Sequence, residues 1–246
     1  MTSTQLVETL NNYCISNSNP QNVEKYSRFF KDEYVAYGLT QPQIKEKAKE
    51  LLKDKELTLE IIREATPKLF ENGRYEDIVF ALLLLNGRNR HFTRDTFDFL
   101  SGLFEVGISN WAHADTIGMW IVPHFLKKNI ININDLESWM VSNNKFQRRC
   151  VPVSLIKTLK TTQGYSQLFS FIEPLMTDSQ REVHQGVGWF LREAWKKQPA
   201  QTEYFLLKWK GNAPRLIIQY ACEKMTAEQK QRFKRNKNDV TKDFIS

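Results

Sequence analysis

Residues 57–86 read LTLEIIREATPKLF, then ENGR, then YEDIVFALLLLN, and they decide the fold. Leu57 to Phe70 and Tyr75 to Asn86 read as two helices, and Asn72-Gly73 is the turn that folds them into a pair. The same grammar extends in both directions. Upstream, Thr4 to Ser16 is an amphipathic helix with Leu6, Val7, Leu10 and Tyr13 inward. Asn19-Pro20 opens a second helix over Val23 to Lys31, Tyr34 to Gly38 is an irregular connector, and Thr40-Gln-Pro42 starts a helix running to about Leu52. Downstream, Phe92 to Val106 pairs with Asn110 to Lys127, Asp135 to Ser142 with Lys145 to Lys160, and Tyr165 to Met176 with Ser179 to Lys197. Pro199 to Lys210, a helix opening at Asn212-Ala-Pro214 and Ala227 to Lys234 complete the series.

Glycine is scarce, β-alternation is nearly absent, and Leu, Lys, Glu and Gln are abundant, so the chain is predicted to be all-α. The second helix of each pair recurs roughly every 36 residues, with Ala81, Ile117, Val153 and Val187 at comparable places. Helix pairs at that period predict an α-solenoid of HEAT or armadillo type with a concave face lined by one helix from each pair. The expected organisation is a single repeat domain over 1–235 and a polar tail over 236–246.

Composition excludes several classes. A 41% hydrophobic and 26% charged chain is of ordinary globular type, and no apolar run reaches the ~20 residues of a membrane span. The N-terminus lacks the basic and apolar regions of a signal peptide, which predicts a cytoplasmic protein. Cys14, Cys150 and Cys222 are far apart and read as small buried hydrophobes. The four histidines show no ligand spacing, so no metal is expected. Residues 1–126 hold 14 Lys+Arg against 17 Asp+Glu, whereas 127–246 hold 21 against 11. A basic C-terminal half points to a polyanion, with nucleic acid first and a membrane surface second.

Ser109 to Trp120 is the stretch that could carry chemistry. Asn110 is a candidate N-cap, and Trp111 and Asp115 then share one helical face a turn apart. Taken alone, an indole beside a carboxylate is more often structural than functional. Two later second helices open with similar mixtures, Asn144-Lys-Phe-Gln-Arg-Arg-Cys150 and Gln185-Gly-Val-Gly-Trp-Phe-Leu-Arg-Glu193. Gly186 and Gly188 cost helix stability of about 1 kcal/mol each, so they serve either close packing or the approach of a ligand. His113 sits on a different face from Asp115, which predicts a helix-surface or supporting role rather than a general base.

Trp111-x-x-x-Asp115, Gln147-Arg-Arg149 and Gly188-Trp-x-Leu-Arg-Glu193, in this order, resemble the DNA alkylation repair glycosylases built from HEAT-like repeats, the AlkD type. The resemblance begins near Tyr26 to Lys31 and covers most of the chain. It implies Asp115 as catalytic carboxylate, Trp111 and Trp189 as lesion-site indoles, Phe29 as a looser counterpart of a tyrosine near the lesion, and Arg148, Arg149 and Arg192 as DNA contacts. Ala112 and Asn110 depart from the pattern, where better-known members carry an acidic residue and a second Trp. The implied activity is hydrolysis of the N-glycosidic bond of cationic N3- or N7-alkylated purines in duplex DNA by a monomer with no cofactor, associated with a bacterial nucleoid. The alternatives are a noncatalytic DNA-binding HEAT-like protein and a protein-interaction scaffold.

Overall fold

The computed structural model describes residues 1–31 and 34–234. Its contacts divide the chain into two compact units, Met1–Ile131 and Asn132–Ser246. The tail expected at 236–246 lies outside the described residues. Among those described, every regular element is helical. The charge break falls close to the division: the first unit holds 16 Lys+Arg against 17 Asp+Glu, the second 19 against 11.

The first unit contains α1 (Ser3–Ser16), α2 (Pro20–Ser27), α3 (Gln41–Leu51), α4 (Leu59–Glu71), α5 (Tyr75–Gly87), α6 (Arg94–Val106), α7 (Trp111–Thr116) and α8 (Val122–Lys127). Capping residues set several starts: Thr2, Asn19, Thr58, Thr93 and Asn110 each accept a backbone N–H from the first turn. The α4–α5 turn is the predicted one, with Gly73 at φ +65. Helix α5 is apolar on every side, Ile78 to Leu82 being buried without interruption, and it is the helix the others pack around. Helix α1 packs on α4 and α4 on α5, while α3, α5 and α7 lie side by side.

Two predicted helices of this unit differ from expectation. The second stops at Ser27 instead of reaching Lys31, which puts Arg28, Phe29 and Phe30 in the connector. The helix expected over Asn110 to Lys127 is broken by a π turn at Ile117–Ile121, where the Val122 N–H donates to the Ile117 carbonyl five residues back. Pro123 accounts for the break. It has no N–H to donate, and in a regular helix its ring would press on the carbonyl four residues earlier.

The second unit contains a 3₁₀ turn at Ile133–Leu136, then α9 (Glu137–Met140), α10 (Lys145–Leu155), α11 (Ser166–Ile172), a 3₁₀ turn at Glu173–Thr177, α12 (Arg181–Trp195), α13 (Pro199–Trp209), α14 (Arg215–Ala221) and α15 (Ala227–Gln231). Helices α10, α12 and α14 pack side by side. The two glycines of α12 permit this closeness. A Cβ on Gly186 would meet Arg149 Cγ at 3.0 Å and its carbonyl oxygen at 3.1 Å, and one on Gly188 would meet Tyr220 Cβ at 2.5 Å. Helix packing, rather than ligand approach, explains both. In each unit the second helices of successive pairs stand next to one another, the packing of HEAT-like repeats. Ala81, Ile117, Val153 and Val187, the residues that marked the period, are all fully buried.

Candidate functional site

The start of α7 is held by a support assembled from the connector after α2 and the first turn of α5. The Glu76 carboxylate is fully buried and accepts the backbone N–H groups of Tyr37 at 2.8 Å, Gly38 at 2.8 Å and Leu39 at 2.9 Å. Three such bonds offset the cost of burying the charge and fasten the connector to α5. Gly38 is required in this clasp: its φ is +85, and a Cβ there would lie 2.2 Å from the Asn19 carbonyl oxygen. The Tyr75 N–H adds a bond to the Val35 carbonyl at 2.8 Å.

That clasp brings aromatic rings together in front of α7. Phe30 stacks on Tyr34, with centroids 4.5 Å apart, and on Trp111 at 5.6 Å, and Tyr75 meets both Phe30 at 5.7 Å and Tyr34 at 5.3 Å. The Trp111 Nε1–H donates to the Phe29 carbonyl oxygen at 3.2 Å. Trp111 is therefore fixed through both its ring and its one donor, yet stays 38% exposed. Asp115 stands one turn along on the same face and is partly exposed.

His113 supports α7 from behind. The ring is 1% exposed, stacks on Tyr75 at 4.9 Å, and is not on the helix surface. Asn110 Oδ1 accepts the His113 N–H at 3.0 Å, so the Asn110 amide nitrogen donates to Nδ1 at 2.9 Å. Nε2 must then carry the hydrogen that it donates to the Tyr75 carbonyl at 3.1 Å. Burial lowers the His113 pKa to about 4, and the imidazole is neutral near pH 7. Its two nitrogens are committed to the N-cap and to α5, which makes it a positioning residue for Trp111 and Asp115.

Phe29 does not join the stack. Its ring is 58% exposed beneath the Arg28 guanidinium at 5.0 Å, and its carbonyl, not its ring, meets Trp111. Phe30 is the residue whose ring reaches Trp111. The sequence offered both phenylalanines at adjacent positions, and the early end of α2 decides between them.

In the second unit the arginines divide by their partners. Arg148 pairs with Asp178, Nε to Oδ2 at 2.7 Å and Nη2 to Oδ1 at 3.3 Å, while Nη1 donates to the Ser142 carbonyl at 2.6 Å. Both side chains are largely buried, so Arg148 joins the start of α10 to the turn that precedes α12. Arg149 is 6% exposed, its stem lies against Gly186, and Nη1 donates to the Glu182 carbonyl at 2.7 Å. Arg192 pairs with Glu223 through Nη1 and with Glu193 through Nε at 3.2 Å. Trp189 is half-buried on α12 one turn before Arg192. Among the described residues no group of three or more His, Cys, Asp or Glu side chains could hold a metal ion, and no helix is long and apolar enough to cross a membrane.

Among the described residues, helix pairs whose second helices stand side by side in each unit define a HEAT-like repeat protein. Residues 12–225 match the family described as DNA alkylation repair enzyme, and the chain belongs to that family. The fold is similar to that of a predicted DNA alkylation repair enzyme from Enterococcus faecalis, with a TM-score of 0.72 at 16% identity over 86% of this chain and 98% of that one. It also resembles smu.31 from Streptococcus mutans UA159, with a TM-score of 0.57 at 19% identity over 84% and 98%. AlkD2 from Streptococcus mutans aligns with a TM-score of 0.56 at 19% identity over 84% and 99%. None of the curated proteins matches the chain.

Proposed function

We propose that this protein is a monofunctional DNA glycosylase that releases cationic N3- or N7-alkylated purines from duplex DNA. The observation that carries the proposal is the pairing of a fixed, partly exposed Trp111 with Asp115 one turn along, in a chain of the DNA alkylation repair family. An alkylated purine is cationic and leaves as a neutral base, so the enzyme needs little acid catalysis. Positive charge moves onto the deoxyribose as the bond breaks. An ionised Asp115 would stabilise that charge and orient the water that attacks C1′.

A charge pair at ~4 Å with an effective dielectric of ~20 is worth about 4 kcal/mol. Realised only in the transition state, that is about three powers of ten in rate. The indole face favours the cationic nucleoside by ~0.5–2 kcal/mol. In this scheme Trp189 is the second indole, and Arg149 and Arg192 contact DNA. They do so once Arg149, now buried against α12, and Arg192, now paired with Glu223 and Glu193, turn toward a phosphate. Arg148 is assigned to the same group, although a phosphate would have to compete with Asp178 for it. No lysine is given a Schiff-base role, so no strand cleavage is expected.

The test is to incubate the full-length protein with duplex DNA carrying 7-methylguanine or 3-methyladenine and to quantify free base. Wild type should release base, and Asp115→Asn should lower release about 1,000-fold with duplex affinity retained. Binding without release of either base by wild type would replace the proposal with a noncatalytic DNA binder. Absence of salt-sensitive DNA binding would leave an interaction scaffold.

A further inference from the structure

Arg192 is held differently from Arg148. The Arg148 pair is closed: two of its nitrogens donate to Asp178, whose side chain is 8% exposed and also accepts the Gln180 N–H at 2.7 Å. The Arg192 pair is open. Glu223, in the turn after α14, meets the guanidinium through Nη1, and its side chain is 46% exposed. An ion pair so open to water is weak and readily exchanged.

Each carboxylate at Arg192 also has a cation of its own. Glu193 Oε1 accepts from Arg192 Nε at 3.2 Å, and its Oε2 accepts from Lys196 Nζ at 2.8 Å. Glu223 gives Oε2 to Arg192 and Oε1 to Lys224 Nζ, at 2.9 Å. Lys224 and Arg192 hold the Glu223 carboxyl below the usual carboxylate range, so it is ionised near pH 7. The set carries one more cation than anion, and Arg192 is the member that can leave without either carboxylate losing its last partner. A phosphate supplies the missing anion, and its oxygens match the fork of guanidinium donors.

We propose that Glu193 and Glu223 hold Arg192 in the free protein and that a DNA backbone phosphate displaces them, while Lys196 and Lys224 keep the two carboxylates paired. Glu223 is then a competitor of DNA. It stands where a phosphate oxygen would stand and lowers affinity for any duplex, because phosphate contacts carry no sequence information. This inference rests on the proposed function for placing Arg192 against DNA, but it concerns binding and not turnover.

The experiment is equilibrium binding of the full-length protein to a 7-methylguanine duplex at ~0.15 M salt, where exposed charges are screened beyond about 8 Å. Glu223→Gln should bind about 2- to 5-fold more tightly than wild type, a gain that a misfolded variant cannot produce. In an Arg192→Gln background the same substitution should gain nothing. Glu228→Gln, which removes an equal charge from an exposed position of α15, should bind like wild type. Lys224→Gln should weaken binding, and that loss should vanish in the Glu223→Gln background. Unchanged or lower affinity of Glu223→Gln, a gain that persists without Arg192, or an equal gain from Glu228→Gln would overturn the role of Glu223. A loss at Lys224 that persists in the Glu223→Gln background would make Lys224 itself the phosphate contact and overturn the exchange. Free-base release is scored separately: wild type that binds but does not cleave defeats the glycosylase proposal, while the binding comparisons still decide this one. Wild type that does not bind duplex DNA defeats both.

Discussion

His113 and Asp77 are two buried titrating side chains whose burial acts in opposite directions. Burial takes the His113 imidazole from 6.5 down to about 4. Asp77 is fully buried, and burial raises its carboxyl from 3.8 to about 7 against the lowering influence of the Asn72 and Tyr37 side chains and of Arg74. The unfolded chain takes up a proton at His113 below about pH 6.5 and the folded one does not, so this group's contribution is lost as pH falls from about 6.5 to 4. The folded chain keeps a proton on Asp77 that the unfolded one releases, so that contribution is full at low pH and lost as pH rises from about 4 to 7. Each is on the order of 3–4 kcal/mol, and over the shared window they nearly cancel. Relative to wild type, His113→Gln should therefore lose stability as pH rises from 4 to 7, and Asp77→Asn should lose it as pH falls over the same range. Urea midpoints at pH 4.5, 5.5, 6.5 and 7.5 measure both, and two difference curves of the same sign would rule the account out. The burial of His113 was hidden in the sequence for a reason visible here. Its ring stacks on Tyr75, 38 residues away, and its position relative to Asp115 specifies a different face of the helix but not what covers that face.

At the scale of elements, glycines show what local sequence can and cannot specify. Gly102 lies mid-way along α6, is exposed, and has nothing within 4 Å of where a Cβ would be. Gly188 lies mid-way along α12 and would drive a Cβ to 2.5 Å from Tyr220 Cβ and 3.0 Å from the Ile217 carbonyl oxygen. Helix propensity favours alanine at both positions by about 1 kcal/mol. Gly102→Ala should realise that gain, whereas Gly188→Ala should be net destabilising by about 1–3 kcal/mol because α14 must move. Thermal or urea unfolding distinguishes them, and a stabilised Gly188→Ala would show that α12 and α14 are not held this close. The helix pairs and the Asn110 cap were legible because periodicity and capping chemistry are local. The early end of α2 was not: it leaves the Phe29 carbonyl to Trp111, a partner 82 residues later that local sequence does not specify. Pro123 was visible as a break in principle, but only the phase of burial on both sides shows that the break inserts a residue instead of ending the helix.

Over the whole molecule, charge is the property that sequence and structure report most alike. The excess of basic residues falls in Asn132–Ser246, with 19 Lys+Arg against 11 Asp+Glu, while Met1–Ile131 is close to balance. What the sequence did not show is how many of those charges are already engaged. Arg148 is tied to Asp178, Arg192 to Glu223 and Glu193, Lys196 to Glu193 and Lys208 to Glu173, so a count of basic residues overstates the charge offered to a polyanion. Exposed lysines such as Lys160 and Lys197 remain better placed to hold phosphates. If DNA affinity follows the charge division, each phosphate contact adds about 0.9 to the magnitude of the salt slope. Lys160→Gln combined with Lys197→Gln should then lower that slope by about two. Lys45→Gln combined with Lys53→Gln, which removes the same charge from exposed positions of the first unit, should leave it nearly unchanged. Equal losses from the two pairs, measured on the intact protein across a salt titration, would mean that affinity tracks net charge alone and not where that charge is carried.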